Sequence, residues 1–483
     1  MVGIVAYGAY VPRLRLSRAA VVQANQWFAP GLKAHAKGER AMANWDEDVI
    51  TMAVEAARDA LPGPARGCPA AVILASTSAP FADRQNAGVV KEALNLPDDV
   101  LTQDVGGSQK AGTGALLQAL HACAGGGGTM LCIAAERSRA RAGSEAELVN
   151  GDAAAAFVVG TKDPIARLVG SHSLSLDFVD HFRGRDADYD YAWEARWTRD
   201  EGFVAIVSQA VRAALDKLGL RGEDIARLLV AIPASGVAEA VAKAARIPPA
   251  AIAPGLGLVL GHAGAAQPLV MLAQAMKTAQ PGERLLLVGF GQGCDVLVFE
   301  VTEAITTHAH PLGVDGWLAR RKPETNYLKH LFFAGELDLE RGMRAEMEQK
   351  QPLTALYRNR KTVLGLVGAR SARTGEVQFP RSTIGVGATD AAGDDTFEDY
   401  PFADRPARVL TFTADHLTYT PDPPSYYGMV EFDGGGRMLA EFTDVDPGSV
   451  EVGLAMRMSF RIKAVDEKRA FTKYFWKAVP AFR

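Results

Sequence analysis

The apolar runs of this chain occur in one arrangement used twice, and that repetition constrains the fold more than any other feature. The first copy passes from Ala70-Ala71-Val72-Ile73-Leu74-Ala75-Ser76 through a glycine-rich bend and a helical stretch. It continues to Thr129-Met130-Leu131-Cys132-Ile133-Ala134-Ala135 and Ala153-Ala154-Ala155-Ala156-Phe157-Val158-Val159. The second passes from Arg227-Leu228-Leu229-Val230-Ala231-Ile232-Pro233 through a helix near Pro268 to Thr278. It ends in Arg284-Leu285-Leu286-Leu287-Val288-Gly289-Phe290 and Val296-Leu297-Val298-Phe299-Glu300-Val301. Continuous apolar strands alternating with helices belong to a mostly parallel sheet covered on both faces. Two such halves, residues 1–165 and 166–302, predict a duplicated five-layered α/β sandwich.

At 483 residues the chain is too long for one core, and its pattern changes beyond Thr306. Residues 303–350, including Trp317-Leu318-Ala319-Arg320-Arg321-Lys322-Pro323, are charged and amphipathic and read as a helical connector. Residues 351–483 hold short alternating runs such as Arg408-Val409-Leu410-Thr411-Phe412-Thr413-Ala414 and Met456-Arg457-Met458-Ser459-Phe460-Arg461-Ile462, divided by Gly, Asp and Pro turns. They predict a small all-β barrel.

The bend of the first copy, Gly107-Ser108-Gln109-Lys110-Ala111-Gly112-Thr113-Gly114-Ala115, follows a strand edge at Val100-Leu101-Thr102-Gln103-Asp104-Val105 and runs into a helix of small residues. This is the form of a nucleophile elbow, which presents one side chain at the positive end of a helix. The side chain presented is Gln109. A glutamine amide donates and accepts hydrogen bonds but forms no acyl-enzyme. Gly125-Gly126-Gly127-Gly128 lacks the Lys and Ser of a phosphate-binding loop and reads as a turn.

A net charge of -4 offers no electrostatic reason for a nucleic-acid or anionic-membrane partner. The start lacks the basic and apolar regions of a signal peptide, and every apolar run is interrupted before it could span a bilayer, so the cytoplasm is expected. Cys68, Cys123, Cys132 and Cys294 have no paired spacing that suggests zinc or disulfides. His121, His308 and His310 show no ligand spacing.

Gly3-Ile4-Val5-Ala6-Tyr7-Gly8-Ala9-Tyr10-Val11-Pro12-Arg13, Asp46-Glu47-Asp48-Val49-Ile50-Thr51-Met52-Ala53-Val54-Glu55-Ala56-Ala57, Lys110-Ala111-Gly112-Thr113 and Pro281 to Gly293 resemble the archaeal and bacterial 3-hydroxy-3-methylglutaryl-CoA synthases of the thiolase superfamily. The resemblance covers residues 1 to about 302. It implies the duplicated thiolase sandwich, a coenzyme A thioester as substrate and a homodimer. Thr374-Gly375-Glu376-Val377-Gln378-Phe379-Pro380 and Pro424-Ser425-Tyr426-Tyr427-Gly428-Met429-Val430-Glu431-Phe432 resemble the zinc-ribbon and OB-fold proteins that accompany thiolases and acyl-CoA enzymes. Their paired-cysteine knuckle falls on Ser371 and Thr374, and no cysteine follows Cys294, so no metal is expected. Fusion of a partner usually separate raises its effective concentration.

The resemblance also places the synthase's catalytic groups. Its cysteine falls on Gln109, its glutamate near Thr77, beside Ser78, and its histidine near Ile232; all three are replaced. Leu260-Gly261-His262-Ala263-Gly264 is similar instead to the Gly-His motif of thiolases, which makes His262 the catalytic candidate, able to polarise a thioester or move a proton. The backbone of Gly289, Phe290 and Gly291 is expected to form part of an oxyanion hole. The thiolases' second cysteine falls on Leu287, and Cys294 stands displaced beyond the glycine loop. The segment Asp177 to Trp193, with His181 and Tyr191, mixes aromatic and ionisable residues as a substrate-covering loop does.

Three functions follow. The first is non-covalent aldol, retro-aldol or decarboxylation chemistry on a coenzyme A thioester, with Gln109 and the glycine loop as donors and His262 or a tyrosine of the covering loop as base. The second is a catalytically silent acyl-CoA-binding or scaffold subunit of a thiolase-type complex. The third is synthase-like condensation with Cys294 as an unconventional nucleophile.

Overall fold

A computed structural model describes residues 1–61, 68–309, 311–382, 384–385 and 396–482. His310 lies outside the described residues. The repeated apolar runs form one sheet with the same topology twice. In the first half the strands are β1 (Gly3–Tyr10), β2 (Ala71–Ala75), β3 (Leu101–Val105), β4 (Met130–Glu136) and β5 (Ala153–Gly160), ordered β3-β2-β4-β5-β1 with β5 antiparallel to the rest. In the second half β6 (Ala166–Ser175), β7 (Arg227–Val230), β8 (Arg284–Phe290) and β9 (Gly293–Val301) take the order β7-β8-β9-β6, with β9 antiparallel. A bridge from Leu228 to Ile252 stands where the first half has β3. The halves join where β1 pairs with β6 at Gly3↔Arg167 and Ile4↔Ala166.

Helices cover both faces because both faces are apolar. On one side α1 (Val49–Ala60) and α2 (Asn86–Ala93) pack on the first half. Between the halves lie α3 (Ala111–Ala124) and α6 (Gln267–Met276), and on the far side lie α4 (Val207–Leu218) and α5 (Val237–Ala244). The result is the five-layered α/β sandwich that the repeat predicts. No helix among the described residues is long and apolar enough to cross a membrane.

The connector is less helical than its amphipathic pattern predicts. Gly313–Ala319 and α7 (Tyr327–Ala334) are helices, but Lys322–Glu324 is extended and pairs in parallel with Leu14–Ser17. Pro323 has no N–H to continue a helix, which explains the break. The ribbon positions form β10 (Val367–Ser371), β11 (Val377–Gln378) and β12 (Phe397–Pro401). Its turn is closed by a hydroxyl: the N–H of Thr374 donates to Ser371 Oγ at 2.9 Å.

The barrel strands are β13 (Ala407–Asp415), β14 (Ser425–Phe432), β15 (Arg437–Glu441), β16 (Ala455–Asp466) and β17 (Phe471–Pro480). They are ordered β15-β14-β13-β16-β17 and closed by a bridge from Phe442 to Ala478. This barrel is clamped to the sandwich through the acidic start of α1. Arg461 pairs with Glu47 and with Asp444, the latter at 2.8 Å, and Lys477 pairs with Asp46 at 3.0 Å. Tyr474 Oη donates to Asp48 Oδ2 at 2.6 Å. Phe471 also packs on Phe81, with ring centroids 5.7 Å apart and the Arg84 guanidinium over both rings. The barrel therefore supports the loop that leads out of β2 as well as the entry to α1.

Candidate active site

The first-half bend delivers Gln109 two residues before α3, as the elbow pattern predicts. Gly291 lies directly against it: a Cβ there would stand 2.6 Å from the Lys110 nitrogen and 3.0 Å from that of Gln109. Gly264 is similarly placed, because a Cβ there would stand 2.9 Å from Gln109 Oε1. Glycine at both positions is a condition of the site's closeness.

Gln109 does not cap its helix. Its Nε2 donates to Thr77 Oγ1 at 3.4 Å, and its Oε1, shut off from solvent, receives no hydrogen bond. Behind Thr77 stands Glu136, which the sequence analysis missed. Its Oε2 accepts from the Thr77 N–H at 3.0 Å, the Thr77 hydroxyl at 3.1 Å and the Ala265 N–H at 3.3 Å. Its Oε1 accepts from the hydroxyl of Ser78 and from Ser76 Oγ at 3.5 Å. Burial pushes the Glu136 carboxyl up, while these donors pull it back. The signal for it was a single carboxylate closing the otherwise apolar strand Met130-Leu131-Cys132-Ile133-Ala134-Ala135. Thus Thr77 holds a carboxylate that arrives from another strand.

His262 sits on the turn before α6, half-buried. Its backbone N–H donates to the Val149 carbonyl at 2.8 Å, and its Nε2 lies 3.3 Å from the Ala231 carbonyl. That contact keeps the ring proton on Nε2 and leaves Nδ1 an acceptor. Burial lowers its pKa to about 4, with nearby His181 acting in the same direction and the Ala231 bond opposing. The imidazole is therefore neutral at physiological pH. Ile232, next to that carbonyl, packs against the second-half core and brings no polar group.

Cys294 is not in this site. In β9 the side chains alternate between faces. Asp295 faces α3, where it accepts from Thr113 Oγ1 at 2.9 Å and pairs with Lys110 at 3.6 Å. Cys294 consequently faces the opposite, apolar core, fully buried, and burial holds its thiol protonated far above the usual range. A nucleophilic role is excluded by that placement.

The glycine loop also differs from expectation. The Gly291 N–H is spent on the Gly293 carbonyl at 3.0 Å, while the Gly291 carbonyl accepts from Ser108 Oγ at 2.8 Å. Gly289 packs on Thr113, and the Phe290 ring stacks edge-on with Phe203 at 5.0 Å, away from Gln109. The loop shapes the site more than it donates to it.

The covering segment forms a two-residue hairpin, His181–Phe182 with Tyr191–Ala192. His181 Nδ1 is 2.9 Å from Asp180 Oδ2, which raises its pKa. Tyr191 is 57% exposed, its ring packed beside Phe182 and Trp193. The residue that reaches inward is Arg183, which donates to the Thr77 carbonyl and pairs with Asp190 at 3.0 Å. Beside Thr77 and Ser78 opens a mixed-charge cavity of about 390 Å³, walled by Arg137, Ser138 and, from α7, His330 and Phe333.

Comparison with known proteins agrees with this architecture. Residues 401–461 match the family described as ChsH2, C-terminal OB-fold domain, and residues 215–298 match the 3-oxoacyl-[acyl-carrier-protein] synthase III C-terminal family. A structure of MvaS in complex with 3-hydroxy-3-methylglutaryl coenzyme A superimposes with a TM-score of 0.57 at 21% identity, over 70% of this chain and 92% of that one. The curacin biosynthetic pathway HMG synthase with acetyl donor-ACP superimposes with a TM-score of 0.61 at 21% identity, over 69% and 89%. The hydroxymethylglutaryl-CoA synthase of Thermococcus onnurineus is 32% identical over 307 residues, covering 62% of this chain and 86% of the relative. That of Archaeoglobus fulgidus is 32% identical over 321 residues, covering 64% and 91%. With its duplicated sandwich, its glycine-flanked elbow and these relatives, the chain belongs to the hydroxymethylglutaryl-CoA synthase family and carries an OB-fold domain on the same polypeptide.

Proposed function

We propose that this chain makes or breaks a carbon–carbon bond on a coenzyme A thioester by aldol chemistry of the kind its relatives' names imply, without acyl transfer to the protein. The observation that carries the reading is the Gln109 cluster. The elbow, its two close glycines and a buried carboxylate come together around a tip residue that binds and cannot attack. In the cleavage direction the β-hydroxyl gives up its proton as the bond between the carbinol carbon and the thioester α-carbon breaks. The electron pair passes to the thioester as an enolate, which is then protonated; condensation is the reverse. In this reading His262 takes the proton on Nδ1, since its Nε2 faces the Ala231 carbonyl, and the positive end of α3 favours the enolate charge. With Cys294 sealed in the core, the non-covalent route is favoured over a displaced nucleophile.

The test is to incubate the full chain with acetyl-CoA plus acetoacetyl-CoA, and separately with 3-hydroxyacyl-CoA esters, and to weigh both the recovered esters and the intact protein. Altered esters with no acylated protein support the reading. Acylated protein sinks the non-covalent route, and unchanged esters that nonetheless bind favour a silent acyl-CoA-binding subunit. The assembly we propose is a homodimer in the cytoplasm. Among the described residues no strand pairs with the outer edge of β3, and Leu101 is 58% exposed, as suits strand addition by a second copy. Four unpaired cysteines suit a reducing compartment.

A further inference from the structure

We infer that the α-carbon of the thioester exchanges its proton with Glu136 through the hydroxyl of Ser78. The inference rests on the proposed function and deepens it. That chemistry moves two protons, and His262 handles only the one on the β-oxygen. The proton of the α-carbon needs a group of its own.

The directions of the donors around Glu136 decide where it can take a proton. The backbone N–H groups of Thr77 and Ala265 can only donate, and both reach Oε2, at 3.0 and 3.3 Å. That oxygen is held as an acceptor. Among the described residues Oε1 meets hydroxyls alone, that of Ser78 and, at 3.5 Å, that of Ser76. A hydroxyl can reverse its role from donor to acceptor. A proton that comes to Glu136 therefore settles on Oε1. Glu136 itself is fully buried, so the proton must arrive by way of one of these two side chains.

Ser78 is the one that a substrate can meet. Ser76 is buried, accepts the Ser78 N–H at 3.1 Å, and does not line the cavity of about 390 Å³ beside it. Ser78 is half-buried and does line that cavity, whose size suits a small ligand. The wall there is built from residues 77–80 and 137–140. Ser78 Oγ spans the same two segments, donating to Glu136 and accepting the Arg137 N–H at 3.0 Å. One lone pair of that oxygen remains for the substrate. The Arg137 N–H also steadies the charge that the oxygen carries as its proton leaves.

In the condensing direction the α C–H proton passes to Ser78 Oγ as the proton of Ser78 passes to Glu136 Oε1. The electron pair of the C–H bond becomes the enolate. In cleavage the steps run in reverse, and the proton held on Oε1 returns through Ser78 to the α-carbon. Ser78 is thus the catalytic residue, and Glu136 acts through it from within the wall.

The experiment is incubation of the full chain with acetyl-CoA in D₂O, with deuterium at the α-carbon read by mass on the recovered ester and affinity read by calorimetry. The parent chain should exchange the α-hydrogens. Ser78→Ala should slow exchange about a hundredfold or more while the ester affinity stays within about threefold. Ser78→Thr, which restores the hydroxyl, should recover exchange to within about tenfold, and Thr77→Val, which removes the hydroxyl on the locked oxygen, should cost about tenfold at most. Glu136→Gln keeps the side-chain shape but cannot take the proton, so it should match Ser78→Ala and gives a second reading if that variant does not fold. Unshifted thermal midpoints would show that the variants are folded. Exchange at the parent rate in Ser78→Ala or Glu136→Gln, or an equal loss in Thr77→Val, overturns the inference. A parent chain that converts 3-hydroxyacyl-CoA esters without any α-exchange overturns it too and leaves the proposed function standing. If the chain neither exchanges nor converts an ester, the proposed function fails and the inference falls with it.

Discussion

Two glutamines stand at the starts of the two helices in the central layer, and their amides are treated in opposite ways. Gln267 opens α6, is 4% exposed, and accepts the N–H of Ala263 on Oε1 at 2.9 Å. Gln109 precedes α3, gives its NH₂ to Thr77, and leaves its oxygen without a donor. The halves share one topology, so the fold supplies its own control. Position at a helix start does not decide whether a polar side chain is structural; saturation of its hydrogen bonds does. Gln267 closes the turn that carries His262, whereas Gln109 holds an open valence next to the same turn.

The contrast depends most on Glu136, and removing it should have the largest effect. Glu136→Ala takes the acceptor away from Thr77, Ser78 and Ala265 at once. Buried donors left unpaired by loss of a charged partner should destabilise the chain by about 3–5 kcal/mol. The Thr77 proton would also become free to serve Gln109, ending the asymmetry between the two amides. Denaturant unfolding followed by tryptophan fluorescence measures the loss, and a shift under about 1 kcal/mol would mean that the carboxylate does not organise the cluster.

Gln267→Ala comes next, at about 1–2 kcal/mol, the usual cost of deleting a side chain that caps a helix start or its entry turn. An unchanged stability would break the comparison from its structural side.

His262 sharpens it through pH. Its folded pKa is lowered to about 4 by burial, with His181 adding to the effect, whereas an unfolded histidine titrates near 6.5. Between those values the unfolded chain binds a proton that the folded chain refuses. Its contribution to stability is therefore full above about pH 6.5 and declines as the pH falls toward 4. His262→Gln should flatten that part of the stability profile relative to the parent chain. A parallel profile would show that the ring is not held neutral by its surroundings.

Much of this was legible in the sequence for a reason that also explains the failures. Strands buried on both faces read as unbroken apolar runs, so both halves of the sandwich stood out, while the short strands of the barrel were legible by their alternation between turns. The elbow at Gln109 is local, with strand, bend and helix contiguous, and it was found. Cys294 was misplaced because a slip of one residue along β9 exchanges faces: Asp295 looks toward α3 and Cys294 away from it. Glu136 was missed because its partners come from the segment after β2 and the turn before α6, an assembly with no spacing of its own. The clamp of Arg461, Lys477 and Tyr474 on the start of α1 is equally long-range. The connector was read as more helical than it is because amphipathic charge outweighed Pro323.

The smallest expected effect on stability is the most telling. Gln109→Ala removes one long hydrogen bond to Thr77 and relieves a buried oxygen of its missing donor. These changes oppose each other, and no cap of α3 is lost, so the net shift should stay within about 0.5 kcal/mol. The same substitution type at position 267 costs several times more, although both glutamines stand at the starts of helices in the central layer. A Gln109 whose loss leaves folding unchanged, with Gly264 and Gly291 packed beside it, would not be there as a structural contact. If Gln109→Ala proved as costly as Gln267→Ala, measured side by side by thermal and denaturant unfolding, the amide would be one more structural contact and the open oxygen would need another explanation.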